Sequence, residues 1–122
     1  MITLPWPPKE LSPNARTHRL AKAKAAKAYR LACWAIAKES RIRLPGNRHA
    51  LKLTFFPPTR QPRDLDNCLA SIKAGLDGVA DAWGINDRDF RPITIDLAET
   101  IGGLILVELI SSVSLEPGGP PG

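Results

Sequence analysis

The feature that most restricts the fold is the pattern of apolar residues over residues 65–83. On a helical wheel, the large apolar side chains of this segment fall within about 40° of one line. They are Leu65, Leu69, Ile72, Leu76, Val79 and Trp83. A stripe this narrow predicts a helix that packs one face against a core.

The rest of the chain predicts one more helix and a sheet. An Ala-rich helix is expected over residues 17–38, and strands over residues 2–6, 50–56, 92–99 and 103–111. The last two segments have the spacing of a β-hairpin. A chain of 122 residues suits one core. We therefore predict an α+β domain over residues 1–112, with both helices packed on a mixed sheet, and a disordered tail over residues 113–122.

Composition excludes several classes of protein. Apolar residues make up 43% and charged residues 24%, as in a soluble globular protein. The longest apolar run, residues 101–110, is interrupted by Glu108 and is half the ~20 residues that span a bilayer. The N-terminus lacks the pattern of a secretory signal, so a cytoplasmic location is expected. Cys33 and Cys68 have no zinc or disulfide spacing and are expected to be reduced, packed thiols.

The charges are divided between the two halves of the chain. Residues 1–63 carry fourteen Lys and Arg against two acids, whereas residues 64–122 carry three against ten. The basic half suits a polyanion such as DNA. The acidic half fits the same ligand if some of its carboxylates hold a magnesium ion, which binds to a few carboxylates and to substrate phosphates.

The basic half is densest in the first predicted helix. We expect phosphate contacts from this helix, from the residue before it and from two arginines beside the acidic block: Arg16, Arg19, Lys22, Lys24, Lys27, Arg30, Arg60 and Arg63. The alternative is a solubilising helix face. The apolar stripe of this helix is defined only from Leu31, Trp34 and Ile36, and the three tryptophans, Trp6, Trp34 and Trp83, are expected in the core. The alternative is that one of them wedges into the DNA, and the sequence does not identify which.

The acidic half begins with the block RDLDN at residues 63–67. On the wheel, Asp66, Lys73 and Asp77 lie together beside the core stripe, and Asp64 precedes them in the loop. The simpler explanation is a helix cap at Asp66 and a surface ion pair between Lys73 and Asp77. That explanation leaves Asp64 unexplained. The block resembles a calcium loop, but the glycine required there is absent. The chemistry that remains is hydrolysis by a metal-activated water, with a lysine that steadies the developing charge.

Three parts of the sequence resemble the RusA family of Holliday-junction resolvases. They are ITLPWPP at the start, the RDLDN block and I-N-D at residues 85–87, and together they extend over most of the chain. The resemblance implies a homodimeric endonuclease that uses Mg²⁺, for which Mn²⁺ can substitute. Its implied substrate is a four-way DNA junction, in which it nicks two opposing strands symmetrically.

The resemblance also implies site residues. The catalytic and metal-binding acids of the family match Asp64, Asp66 and Asp87, with Asp89 as a second candidate for the third acid. The family lysine often lies three residues after the Asn, where this chain has Ala70. Lys73 takes its place if the helix contains a three-residue insertion.

Two questions stay open at this level. A straight helix to Trp83 would be about 25 Å long and would carry Asp87 away from Asp66. We therefore predict that the helix ends near Gly75 or Gly78; otherwise Asp87 completes a site in a partner subunit. The function also has alternatives, namely a catalytically silent DNA-binding module or a nuclease for other branched DNA.

Overall fold

The computed structural model describes residues 1–44 and 48–110. The predicted tail, residues 113–122, and part of the turn before the second strand lie outside the described residues. Strand β1 is Ile2–Pro5, helix α1 is Arg19–Glu39, β2 is His49–Phe56, α2 is Leu65–Trp83, β3 is Phe90–Leu97 and β4 is Leu104–Leu109. Single 3₁₀ turns at Lys9–Leu11 and Asp87–Asp89 lie before α1 and β3.

The four strands form one mixed sheet in the order β1-β4-β2-β3. Strand β4 runs antiparallel to β1 and to β2, whereas β3 runs parallel to β2. The predicted hairpin between the last two strands is therefore wrong, because β2 lies between them. Helix α2 connects β2 to β3, and a parallel pair requires a crossover of this kind. The predicted α+β class, a mixed sheet with two helices, is confirmed.

Alternation along the strands puts the core on one face of the sheet. Leu4, Leu53, Phe55, Ile105 and Val107 are buried there. Ile72, Val79 and Trp83 of α2 belong to the same core, which confirms the apolar stripe of that helix. Helix α1 contributes Tyr29, Cys33 and Ala37, and the Tyr29 hydroxyl donates a hydrogen bond of 2.6 Å to the Pro5 carbonyl. Neither helix in the described ranges is long and apolar enough to cross a membrane.

The two helices pack closely because α2 has glycines at the crossing. A Cβ atom on Gly78 would lie 2.2 Å from the Arg30 carbonyl oxygen, and one on Gly75 would lie 2.9 Å from the sulfur of Cys33. Helix α2 nevertheless continues unbroken through both glycines to Trp83, so the predicted early end is wrong. Glycine occupies positions 75 and 78 because a side chain there would collide with α1. Its backbone freedom does not end the helix.

The buried face of α1 differs from the expected one. Its buried residues are Tyr29, Cys33 and Ala37. Leu31 and Trp34 are exposed, by 64% and 38%, so the prediction that they pack in the core is wrong. The core already contains Trp83 and Phe90 in edge-to-face contact, and α1 packs on it through Tyr29, Cys33 and Ala37 instead. Cys33 and Cys68 are free and buried, as expected.

Candidate active site

Asp64 and Asp66 lie at the N-terminus of α2, where the sequence predicted the acidic site. Asp64 is the residue before the first turn and has extended backbone, but its side chain makes no capping hydrogen bond. Asp66 lies in the first turn, and both residues are exposed. Within residues 1–44 and 48–110, neither carboxylate accepts a hydrogen bond or forms an ion pair. Helix capping therefore does not account for the Asp64 carboxylate.

A cleft beside Asp64 brings together two of the segments singled out in the sequence. Its volume is about 590 Å³. One wall consists of Trp6, Pro7 and Pro8 from the segment after β1, and the other includes Arg63, Asp64 and Asn67 from the RDLDN block. The segments are more than fifty residues apart in the chain. They meet because β1 and the start of α2 lie at the same end of the domain.

Arg63 is held in the cleft by contacts on several sides. Its guanidinium lies over the Trp6 ring, 5.3 Å from the centroid, and one terminal nitrogen donates a 2.8 Å hydrogen bond to Thr59 Oγ1. Trp6 in turn packs edge to face on Phe55 of β2, with 6.1 Å between the ring centroids. The Arg63 Nε atom is buried and has no partner among the described residues. A cation is thus fixed next to the unpaired Asp64 carboxylate.

A second group of charged residues lies further along α2. Lys73 Nζ donates a hydrogen bond of 3.3 Å to Asp87 Oδ2, and Asp77 lines the same cavity beside Asp87. We call these three residues the Lys73 cluster. They line a shallow 330 Å³ cavity together with Arg30 and Asp81, which form an ion pair across the two helices. The recorded ion-pair partner of Lys73 is therefore Asp87, and not Asp77 as the helical spacing suggested.

The pKa values of the two aspartates of the Lys73 cluster are shifted in opposite directions. The pKa of Asp77 is raised, first by burial and then by the neighbouring Asp87 carboxyl. The pKa of Asp87 is lowered by Asp77 and by Lys73. Like charges in contact disfavour full ionisation, so Asp77 takes up a proton before Asp87 as the pH falls.

Asp87 reaches this position although α2 does not end early. Gly84 takes a left-handed conformation (φ 79°), and the Ile85 amide donates back to the Ala80 carbonyl. The chain then runs back along α2, and the Asn86 side chain accepts from the Arg88 amide to begin the 3₁₀ turn. Asp89, the other candidate for the third acid, lies at the end of this turn and does not line the cavity of the cluster.

The structure does not bring the three predicted acids together in one chain. Lys73 is seven residues after Asp66, which is roughly 10 Å along a helix axis. Asp87 contacts Lys73 and Asp77, and so lies on the far side of that gap. In residues 1–44 and 48–110, no group of three or more His, Cys, Asp or Glu side chains is close enough to hold one metal ion. The acids form two pairs, Asp64 with Asp66 and Asp77 with Asp87.

The predicted phosphate-binding residues are distributed over α1 and the loop before α2. All except Arg63, which is half-buried, are exposed: Arg16, Arg19, Lys22, Lys24, Lys27, Arg30 and Arg60. Arg30 is engaged by Asp81, and this hydrogen bond raises its pKa. His18 has a structural task, since its Nδ1 accepts a 3.1 Å hydrogen bond from the Leu20 amide and caps α1.

Sequence reasoning missed two features of this site. One is the role of Asp77 as the partner of Asp87, although the wheel had put Asp77 on the same side of α2 as Lys73 and Asp66. The other is the contact of Trp6 with Arg63. The prolines at positions 5, 7 and 8 signalled only that the first strand ends, and no local pattern connects them to residue 63.

The fold and the site define a single α+β domain with an exposed acidic pair at a helix N-terminus and a separate acid–lysine cluster. The chain is 40% identical over 125 residues to an uncharacterized protein of Xylella fastidiosa strain Temecula1. The match covers 98% of this chain and 82% of that protein, and the chain belongs to its family. No protein-family model matches the chain.

Proposed function

We propose that the chain is a magnesium-dependent endonuclease of the RusA type, which resolves four-way DNA junctions by paired nicks in opposing strands. The observation that carries the proposal is the cleft in which the LPWPP and RDLDN segments meet. Both segments carry the resemblance to resolvases, and residues of both line one cleft although they are far apart in the chain. The fixed Arg63 and the unpaired Asp64 then lie side by side where a phosphodiester enters.

The acidic pair fits a divalent ion. Asp64 and Asp66 are exposed, and neither carboxylate is neutralised by a described residue. Magnesium prefers one or two carboxylates and takes its other ligands from water and from substrate phosphate. Bound there, Mg²⁺ or Mn²⁺ supplies Lewis-acid assistance to hydrolysis of a phosphodiester. Arg63, held by Trp6 and Thr59, contributes a positive charge at a fixed place for the phosphate.

The Lys73 cluster has a supporting role in this proposal. Asp87 orients the Lys73 ammonium, whose side chain is 73% exposed and free to follow the DNA backbone. A lysine at this place stabilises negative charge that develops on the phosphate. Within one chain, Asp87 acts through Lys73. It becomes a ligand of the Asp64 and Asp66 ion only if a partner subunit supplies it.

The charge distribution supports DNA as the substrate. The exposed cations of α1, with Arg60 and Arg63, present phosphate contacts that are independent of base sequence. Resolution of a four-way junction requires two cuts related by a twofold axis. A homodimer with one site in each subunit meets that requirement, and a homodimer is part of the proposal.

The deciding experiment compares a synthetic four-way junction with a linear duplex of the same sequence. Wild-type protein, Asp66→Asn and the matched control Asp96→Asn are incubated with each DNA, with and without Mg²⁺. Asp96 is an exposed aspartate on β3 that lines neither the cleft beside Asp64 nor the cavity of the Lys73 cluster. We expect paired nicks in the junction that require magnesium, that fall at least about 100-fold in Asp66→Asn and that persist in Asp96→Asn.

Other results identify the alternatives. Binding of the junction without cleavage in any divalent ion would mean a silent DNA-binding module. Equal cleavage of flaps and junctions would mean a nuclease for branched DNA in general. Failure of the wild-type protein to bind either DNA would overturn the proposal.

A further inference from the structure

The outward face of α1 carries large apolar side chains in contact with solvent. Leu20 is 70% exposed, Leu31 is 64% exposed and Trp34 is 38% exposed. On a helical wheel, these three lie within about 40° of one line. The buried residues of α1, Tyr29, Cys33 and Ala37, lie about 100–180° around the helix from this line. The exposed group is therefore one continuous stripe on the solvent side of α1, with Trp34 at the edge nearest α2.

Lysines occupy the remaining positions of the same stripe. Lys24, Lys27 and Lys38 lie within about 40° of the line through Leu20, and all three are exposed. Glu39 is the acidic residue of α1, and it is turned about 100° away. We call the six side chains, three apolar and three lysines, the outer face of α1. It combines flat or branched apolar surface with positive charge and contains no carboxylate.

The combination of apolar side chains and lysines on this face favours one class of ligand. A second copy of α1 would set lysines against lysines, because the face has no acid to pair with them. A polyanion with exposed apolar rings satisfies both components, and DNA with unstacked bases is such a ligand. The lysines contact phosphates, while the indole ring and the aliphatic side chains pack against the faces of the bases.

We propose that the outer face of α1 binds the unpaired or unstacked bases at the branch point of DNA, with Trp34 as the side chain that stacks. The proposal rests on the proposed function and deepens it by naming the part of the substrate that this face recognises. Trp34 is the tryptophan suited to this task. Trp83 is 1% exposed in the core, and Trp6 lies under the Arg63 guanidinium.

The test measures binding without cleavage, in buffer that contains EDTA and no divalent ion. Fluorescence anisotropy gives the affinity of each variant for a labelled four-way junction and for a linear duplex of the same sequence. The variants are Trp34→Ala, Trp34→Phe and the double variant Lys24→Ala with Lys27→Ala. Ile101→Ala is the matched control, because Ile101 is an apolar residue, 45% exposed, in the loop between β3 and β4.

We expect Trp34→Ala to weaken junction binding about tenfold and duplex binding less than about twofold. Trp34→Phe retains most of the junction affinity, since phenylalanine also stacks. The double lysine variant weakens binding to both DNAs and makes it less dependent on salt. Ile101→Ala binds both as the wild type does. Circular dichroism and thermal unfolding verify that each variant is folded.

Three results would overturn the inference. They are unchanged junction affinity in Trp34→Ala, an equal loss for duplex and junction, and dissociation of a dimer into monomers by the substitution, measured by sedimentation. Its failure is distinguishable from that of the proposed function. If Trp34→Ala binds normally while the wild type still nicks junctions with magnesium, only the role of the outer face is wrong. If the wild type binds no DNA, the function itself is wrong.

Discussion

The two pairs of carboxylates on or beside α2 differ in what already neutralises them. Asp64 and Asp66 are exposed, and the described residues give them neither an ion pair nor a hydrogen bond. Asp77 and Asp87 lie side by side with pKa values shifted in opposite directions, Asp87 pairs with Lys73, and both lie next to the Arg30–Asp81 ion pair. The first pair is open to a cation from solvent, as the proposed function requires, whereas the second is already organised by charges of the chain. Carboxylates that look alike in the sequence are thus suited to different tasks, metal binding and orientation of a lysine.

The most direct test of this difference replaces one acid of each pair with asparagine. We expect Asp64→Asn to raise the magnesium concentration for half-maximal nicking at least about tenfold, since metal affinity falls by that much even when a supporting residue is lost. Asp87→Asn should leave this concentration within about twofold of the wild-type value. It should instead lower the maximal nicking rate by about 10- to 100-fold, because the Lys73 ammonium is no longer held in position.

Magnesium titrations of the nicking rate on a four-way junction measure both quantities. Asp96→Asn again serves as the control for an Asp-to-Asn change outside the two pairs. An Asp87→Asn protein that needs as much extra magnesium as Asp64→Asn would put Asp87 on the ion. Because Asp87 lies beyond reach of Asp66 in its own chain, the ion would then be shared across a dimer.

A second prediction concerns the close packing of α1 on α2, which lies near the Lys73 cluster and far from Asp66. Gly78→Ala would force a Cβ atom against the Arg30 carbonyl, a backbone atom that cannot rotate away. We expect the free energy of unfolding to fall by about 1–3 kcal/mol, the usual cost of overpacking, in spite of the better helix propensity of alanine. Gly75→Ala should cost less, because its nearest contacts are side-chain atoms of Tyr29 and Cys33. Urea unfolding measures both.

The same variants report on the site. A shift of α1 near Gly78 moves Arg30 relative to Asp81 and disturbs the Lys73 cluster. Asp66 is roughly 18 Å away along the axis and should keep its magnesium dependence. A Gly78→Ala protein that is as stable as the wild type would contradict the close helix crossing on which this prediction depends.

The sequence predicted more of the elements than of their arrangement. The α2 stripe was largely correct because an amphipathic helix is a local pattern: Ile72, Leu76, Val79 and Trp83 are buried, and Leu65 and Leu69 are partly buried. The hairpin was wrong because β2, some forty residues earlier, inserts between β3 and β4, and no local signal reveals that pairing. Trp34 was expected in the core, but α1 packs through Tyr29 and Cys33 against glycines of α2. The resemblance to resolvases put Asp87 with Asp64, and the sequence does not show how the loop after Gly84 turns.

The smallest expected effect is a pH dependence of stability that comes from the second pair alone. The lowered pKa of Asp87 means that the folded chain holds fewer protons there than the unfolded chain, so its contribution to stability grows as pH rises toward the ordinary aspartate pKa and is lost in acid. The raised pKa of Asp77 has the opposite effect: its contribution to stability falls as the pH rises from the ordinary aspartate pKa through the pKa of the folded chain.

In Asp77→Asn, the amide can donate to Asp87 but does not titrate. The wild type should therefore lose slightly more stability than Asp77→Asn between about pH 4 and pH 7, as measured by urea midpoints, while all other acids cancel in the comparison. Parallel pH profiles for the two proteins would contradict the raised pKa of Asp77 and with it the close approach of Asp77 and Asp87.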